Sequence, residues 1–371
     1  MNNIVALIKA QGAAMEGPED IEAANEFCRS RGWSDGLPVI PPTAERVAAM
    51  LVFCDRPLEQ AIAAIPPRYG AASPLRIAAN AVMAGCRPEH FPLVALAIEA
   101  LCEEPFNLYG IQATTHPCAP LIIVNGPVGA QLSINSGHSA FGSGSHANAV
   151  IGRAVRLALV NIGGAIPGAA DMATAGSPAK FTFCIAENAA ANPWEPLHVE
   201  RGFPADASTV TVVAAEGPHN INDHESLSGE GVLKTFAGTI AGVGINNVYH
   251  ASDLVVAFGP EHAATVAESG YTKGAVKNYL FEHARLPMAM FADDNRERRL
   301  RVKFRDKYAT APLDTLVPMV QRPEDFLVIV VGGAGKHSAY LPTFGSTRAV
   351  TRALRHRDGS LVKSIEDLRQ R

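Results

Sequence analysis

Four short apolar runs, each followed closely by a glycine, most constrain how this chain can fold. They begin at Leu121, Thr209, Leu254 and Leu327, are rich in β-branched residues, and lead into Gly-Pro or Gly-Gly. Runs of this length and composition are typical of β-strands that are buried on both faces. Residues 181–185 form a fifth candidate strand. The chain therefore contains a sheet that needs helices to cover it.

Helical periodicity occupies the sequence between these runs. We predict helices over residues 146–160, 262–269, 273–284 and 346–354. Strands that alternate with helices predict an α/β or α+β fold with a mixed, partly parallel sheet and flanking helices. The spacings between the strand-like runs are unequal, so they do not indicate an internal repeat.

The first hundred residues have a helical pattern with no strong strand signal. Predicted helices cover residues 20–31, 44–53, 73–84 and 88–101, and Thr43 is a suitable N-cap for the second. We therefore expect a helical N-terminal region, residues 1–105, and an α/β domain, residues 106–371, that carries the functional site.

Composition and charge exclude several classes of protein. A net charge of −4 and a pI near 6.3 argue against a nucleic-acid partner. We find no run of 18 or more strongly apolar residues and no basic lead into an N-terminal apolar stretch, so we expect neither a membrane partner nor a signal peptide. The six cysteines form no CxxC pair, which favours a reducing compartment, and we expect a cytoplasmic protein.

Charge is distributed unevenly along the chain. Residues 105–179 contain only Arg153, Arg156 and Asp171 as charged residues, so we expect this segment to be buried, either in the protein or in the interface of a homo-oligomer. Residues 293–307, by contrast, hold seven Lys or Arg and four Asp or Glu. Such a segment is usually solvated surface, and a basic contact patch is the alternative.

The glycine that follows each strand predicts where ligands bind. A strand that ends in a tight glycine turn exposes the next side chains at the carboxyl edge of the sheet, where open α/β sheets commonly bind ligands. This position selects Asn125, His219, His262 and His337 as candidates.

A loop rich in Gly and Ser runs directly into the helix predicted from residue 146. Its glycines allow a ligand to approach the backbone closely, and Ser145 is a suitable N-cap for a helix whose first amides attract an anion. We predict a substrate site for an anion or a carboxylate here, and a loop built only for tight packing is the alternative. The predicted substrate-binding residues are Asn135, Ser136, His138, Ser143, Ser145, His146 and Asn148.

His198 and Glu200 lie two residues apart in a segment that we expect to be extended. In that conformation their side chains share one side and can act as an acid–base pair or bind a divalent metal. The alternative is an ordinary surface strand in which Glu200 forms ion pairs.

Two further clusters contain histidine. His219 and His224, with Asp223 and Glu225 beside the second, are the densest group of potential metal ligands, although polar loops often have no chemical role. If the protein holds a metal, we expect one divalent ion, Zn, Mn or Fe.

The second of these clusters contains Lys336 and His337, which follow a glycine-rich turn. They suit anion binding and proton transfer.

Cysteine chemistry and nucleotide chemistry are less favoured. Cys118 lies two residues from His116, but its apolar setting favours a buried structural side chain over a nucleophile. The sequence has neither a Walker A loop nor a dinucleotide fingerprint, so we expect no nucleotide cofactor.

Four motifs resemble those of a family of bacterial proteins related to the UGSC selenoproteins. They are Gly32-Trp-Ser-Asp-Gly-Leu-Pro-Val-Ile-Pro-Pro-Thr, Trp194-Glu-Pro-Leu-His-Val-Glu-Arg-Gly, Gly259-Pro-Glu-His-Ala and Gly332-Gly-Ala-Gly-Lys-His-Ser. The resemblance spans most of the chain and implies a shared fold and site. The Cys-Gly-Ser-Cys sequence of that family does not occur here, which argues against a thiol-redox role.

Together these patterns predict an enzyme, a lyase or hydrolase, that acts on a small carboxylate- or amide-bearing molecule. The predicted catalytic residues are His198, Glu200, Lys336 and His337, with the Gly/Ser loop binding the anion. A thiol reductase that uses Cys118 or Cys184 is one alternative. A ligand-binding or assembly subunit without catalytic activity is another.

Overall fold

A computed structural model describes residues 2–10 and 15–370, and its N-terminal part is mostly helical. Local signals explain where these helices begin, because the side chains of Asp20, Thr43 and Ser73 each cap a helix. The elements before the first long strand are α1 (Asn2–Ala10), α2 (Ile21–Ser30), α3 (Ala44–Met50), the short strands β1 (Ala63–Ile65) and β2 (Gly70–Ala72), α4 (Pro74–Ala84), α5 (Phe91–Leu101) and α6 (Leu108–Ala113).

The remaining chain forms two four-stranded mixed sheets. In chain order, the first elements of this part are β3 (Ala119–Asn125), α7 (Pro127–Gln131), α8 (His146–Asn161), β4 (Cys184–Ala186), α9 (Leu197–Glu200), β5 (Thr209–Ala215), β6 (His219–Asn222) and α10 (Gly229–Ile240). They are followed by β7 (Leu254–Phe258), α11 (Pro260–Glu268), α12 (Lys273–His283), β8 (Arg285–Pro287), α13 (Asp293–Asn295), a π-helical turn (Arg296–Leu300), α14 (Arg301–Lys303), α15 (Arg305–Tyr308), β9 (Leu316–Pro318), β10 (Phe326–Val330), β11 (His337–Leu341) and β12 (Val350–Ala353).

The two sheets pack face to face between two layers of helices. Leu121 and Ile123 of β3 point into a core shared with the second sheet, whereas Ile122 and Val124 point into a core shared with α4, α5 and α8. The outer face of the second sheet packs against α10, α11 and α12. The N-terminal helices thus share one core with the first sheet, and the predicted mixed, helix-flanked sheet of an α/β or α+β fold is confirmed.

Both sheets have the same topology, which the sequence spacings did not indicate. Their strand orders are β4-β3-β5-β12 and β10-β7-β11-β6, and in each the first pair is parallel and the other two pairs are antiparallel. The strands also follow one another in the same order along the chain. The first half of this region contains β3 to β6 and the second contains β7 to β12, and the last strand of each half belongs to the sheet of the other half. The fold is therefore duplicated, and the exchange of β6 and β12 joins the halves.

Glycines end the equivalent strands β3 and β7 because no side chain fits there. A Cβ atom on Gly126 would lie 2.2 Å from the carbonyl oxygen of Ala207, and one on Gly259 would lie 2.2 Å from that of His337. In each case a proline follows and begins a helix.

Two sequence predictions of local structure are wrong. Residues 346–354 contain strand β12 instead of a helix, because pairing with β5 overrides the local pattern. The predicted strand at residues 181–185 is also shorter and later, as β4 begins only at Cys184. No helix in the described part of the chain is long and apolar enough to cross a membrane.

Candidate functional site

The segments that follow β3, β4, β7 and β10, which we call the carboxyl edge, meet where the two sheets end. The Asn188 backbone N–H donates to the Val330 carbonyl at 2.8 Å, and its side-chain amide donates to the Gly332 carbonyl at 3.1 Å. Gly332 in turn donates to the Ser136 carbonyl at 2.8 Å. The Gly/Ser loop and the glycine-rich turn before His337 therefore lie together.

Three of the residues predicted to bind substrate instead brace the Gly/Ser loop. Asn148 is buried; its side-chain oxygen accepts the Asn135 N–H at 2.7 Å, and its side-chain amide donates to the Asn135 carbonyl at 3.0 Å. Ser145 caps α8, as predicted, and its hydroxyl donates to the Asn148 side-chain oxygen at 2.8 Å. The hydrogen-bonding groups of Asn148 are thus occupied within the loop.

The other predicted substrate-binding residues lie at or near the surface. Ser143 and His146 are exposed, and Ser136 is half-buried. The ring of exposed His138 lies over Gly333, where an added Cβ would come within 2.2 Å of it.

His146 packs near the ring of buried His90, with 5.8 Å between the ring centroids. Burial lowers the pKa of His90 to about 4, so His90 is neutral at physiological pH.

His337 at the carboxyl edge forms a hydrogen-bonded pair with His224. Its Nδ1 lies 3.0 Å from Oδ1 of Asn220, and its Nε2 lies 3.2 Å from Nε2 of His224. An amide oxygen only accepts, so Nδ1 of His337 carries the hydrogen and Nε2 accepts one from His224. Lys336 donates to the His224 carbonyl at 2.9 Å. Both imidazoles are exposed.

The predicted metal pair is not brought together. Strand β6 separates His219 from His224, because β6 pairs His219 with Tyr340 and Asn222 with His337, at opposite ends of the strand. The expectation that His219 and His224 share one ion is therefore wrong. Among the residues that the structure describes, no group of three or more His, Cys, Asp or Glu side chains is arranged to hold a metal ion.

The predicted acid–base pair of His198 and Glu200 is also wrong. Both lie in the helix α9 instead of an extended segment. Two residues along a helix correspond to about 200° of rotation about its axis, so the two side chains point to opposite sides. His198 is buried, and its Nε2 lies 3.3 Å from the Ala205 carbonyl. Glu200 forms ion pairs with Lys273, at 2.8 Å, and with Lys277.

A second cluster lies at the opposite end of the sheets, where β3 and β6 begin and β5 and β11 end. Nε2 of His116 lies 2.8 Å from Oε1 of Glu216, and their side chains are 16% and 29% exposed. The Glu216 backbone N–H donates to the Pro342 carbonyl at 2.8 Å, and the His116 N–H donates to Thr114 Oγ1 at 3.0 Å. Nδ1 of His116 is buried and has no partner among the described residues.

A cluster of buried charges lies near this histidine–carboxylate pair. Asp171 accepts hydrogen bonds from Arg156 at 2.7 Å and from Lys180 at 2.8 Å, and all three side chains are at most 13% exposed. Burial alone would raise the pKa of Asp171, but the two cations and the Ala173 N–H outweigh it and hold that pKa below its usual range. Asp171 therefore stays ionised.

Cys118 lies beside these charges without becoming a thiolate. It is buried, and burial raises its pKa to about 12, which the neighbouring Lys180 only partly offsets. A thiol with so high a pKa is protonated at neutral pH and is a poor nucleophile. All six cysteines are free thiols in the structure.

The pairing of β3 with β5 explains why sequence reasoning missed His116 and Glu216. Their motifs are 100 residues apart, and the antiparallel register that pairs Ala119 with Ala215 brings them together. The one usable signal was that His116 precedes a predicted strand while Glu216 follows another.

Comparison with known proteins adds no assignment. No protein-family model, no curated protein and no solved structure matches this chain. The resemblance to the UGSC-related family therefore stays a prediction.

Proposed function

We propose that the protein is an enzyme that uses His116 for acid–base catalysis on a small carboxylate- or amide-bearing molecule, by addition–elimination or hydrolysis. The observation that carries this proposal is the 2.8 Å contact between His116 Nε2 and Glu216 Oε1. A carboxylate that accepts Nε2–H fixes the imidazole tautomer and stabilises the imidazolium. Nδ1 is then the atom that exchanges a proton with the substrate.

Access to Nδ1 requires local movement. The ring of Phe344 packs against His116, with 5.6 Å between centroids, and Nδ1 is enclosed. Ser346, two residues further on, has φ of 60° although it is not a glycine. Strain of this kind is common at binding sites and switch segments, so we propose that residues 344–346 move when substrate enters.

The carboxyl edge is a second candidate location for the same chemistry. Asn220 orients His337 through Nδ1, and Nε2 becomes available as a base when the exposed imidazole of His224 moves away from it. The partner that orients His337 is an amide, however, and Asn220 provides less electrostatic stabilisation of an imidazolium than a carboxylate does. We therefore place the reaction at His116.

Turnover of a panel of small carboxylates and amides, followed by proton NMR, tests the proposal. His116→Gln and Glu216→Gln should lower turnover by about 100-fold or more, because general acid–base catalysis contributes roughly 10²–10⁴. His337→Gln is the matched control and should retain activity within about threefold.

Three outcomes would overturn the proposal. Full activity in the His116 variant would remove the proposed catalytic group, and loss of activity in the His337 variant alone would move the site to the carboxyl edge. Absence of turnover across the panel would contradict an enzyme of this class.

A further inference from the structure

Four of the seven cations in residues 293–307 have no acidic partner within 4 Å among the described residues, and two of these four, Arg299 and Lys303, lie close together. Arg296, Arg298 and Arg301 each form an ion pair with Asp293, Asp294 or Glu297. Arg299 and Lys303 have no acidic partner within 4 Å in the described part of the chain. Like charges four residues apart on a helix repel each other, so their proximity costs stability unless something compensates.

Both cations converge on one histidine. Nη2 of Arg299 lies 3.1 Å from Nε2 of His250, and Nζ of Lys303 lies 2.8 Å from Nδ1 of the same ring. Arginine and lysine only donate hydrogen bonds, and a neutral imidazole has only one accepting nitrogen. One of the two contacts therefore brings an N–H group against a cation. The cluster therefore lacks a second acceptor for its two donors.

Arg299 and His250 sit on supported elements. The guanidinium of Arg299 lies 4.3 Å from the centre of the Tyr249 ring, a favourable cation–π distance, and it projects from the π-helical turn. π-Helical turns occur frequently at functional sites. Asn247, fully buried just before His250, donates to the Asp253 carbonyl at 2.8 Å and to the Thr343 hydroxyl at 3.0 Å.

We propose that Arg299, Lys303 and His250 form a binding site for a small oxyanion, a carboxylate or a phosphate. An oxyanion supplies the missing acceptors: the arginine fork matches two oxygens, and the lysine provides a point charge. It also offsets the repulsion between the cations and favours protonation of His250.

The electrostatics of the free site agree with this geometry. Burial, together with Lys303, Arg299 and His116, lowers the pKa of His250 to about 4, so this ring is neutral when no anion is present. A bound anion opposes each of the three charge contributions and should raise that pKa towards its ordinary value near 6.5.

The site lies close to the proposed catalytic pair. A Cβ on Gly345 would come within 2.2 Å of the His250 ring, and the neighbouring Phe344 packs against His116. The oxyanion site stands on its own contacts. The further assignment of its ligand as the acidic group of the substrate rests on the proposed function.

Calorimetric titration of the full chain with inorganic phosphate and, separately, with succinate tests the site. Arg299→Gln and Lys303→Gln should each weaken binding by about tenfold or more. Arg298→Gln removes a neighbouring arginine that is already paired with Asp294 and should change binding by less than about twofold. The histidine NMR signals should show the pKa of His250 rising when the better-bound anion saturates the protein.

Several results would overturn this site. Failure of the native protein to bind either anion would do so, as would equal weakening by Arg298→Gln, which would indicate diffuse charge attraction. A His250 pKa that stays near 4 in saturating anion would also contradict it. Anion binding without turnover would keep the oxyanion site and refute only the proposed function.

Discussion

The two ends of the sheets carry the same kinds of polar side chain in opposite electrostatic settings. At the carboxyl edge, His337 is exposed and hydrogen-bonded to the side chains of Asn220 and His224. At the opposite end, His116 is mostly buried against a carboxylate, and Asp171 is buried between two cations. Glycine turns identify where loops meet, but burial and charge pairing decide where the pKa of a side chain such as Asp171 departs from its usual value. That difference is the reason why we propose His116 and Glu216 as the catalytic pair.

The duplicated halves teach the same lesson about backbone and side chains. The turns at Gly126 and Gly259 are equivalent, but the polar groups beside them differ. In the first half the Asn125 amide donates to buried Glu187 at 2.6 Å. In the second half the Ser338 hydroxyl lies 2.8 Å from Nδ1 of buried His262. Equivalent topology thus fixes the turn without fixing the chemistry.

The largest effect that we expect from this comparison is on stability. Asp171→Asn leaves Arg156 and Lys180 buried without a counter-charge, so the free energy of unfolding should fall by about 3–5 kcal/mol in a urea titration at pH 7. If the variant does not fold, Asp171→Asn combined with Lys180→Gln should recover part of the loss by removing one of the two cations.

An exposed ion pair provides the matched control for this variant. Asp206 pairs with Lys363, and their side chains are 66% and 55% exposed. Asp206→Asn should therefore lower the free energy of unfolding far less than Asp171→Asn does. If both variants lost a similar free energy of unfolding, the burial of Asp171 would not explain the stability of the charges at the opposite end of the sheets.

A smaller effect should appear in the pH dependence of stability. The pKa values of His90 and His250 are about 4 in the folded protein and near 6.5 in the unfolded chain, so the unfolded state binds more protons between these values. The stabilisation is present above pH 6.5 and is lost as the pH falls towards 4. His90→Gln should reduce the loss between pH 7 and 4.5 by about 1–2 kcal/mol, measured by urea unfolding. Equal losses in the native protein and the variant would contradict this.

Much of the fold was predictable because local signals and burial agree. The apolar runs at Leu121, Thr209, Leu254 and Leu327 are strands, and Thr43 and Ser145 cap helices as expected. Strands β6, β11 and β12 were missed since their sequences are polar or mixed, and pairing with a neighbouring strand makes them strands.

The site was harder to predict because it depends on register. Sequence reasoning placed the Gly/Ser loop beside the turn before His337 correctly, since both follow strands of the sheets. It gave His198 and Glu200 a shared side that the helix α9 does not allow. It had no means to bring together His116 and Glu216, which only the pairing of β3 with β5 achieves.

Histidine NMR during an anion titration tests most directly which end of the sheets binds the ligand. With the imidazoles labelled and assigned, succinate or phosphate should shift the signals of His116 and His250 in a saturable way and leave those of His224 and His337 nearly unchanged. Saturable shifts confined to His224 and His337 would contradict the account and place the ligand at the carboxyl edge.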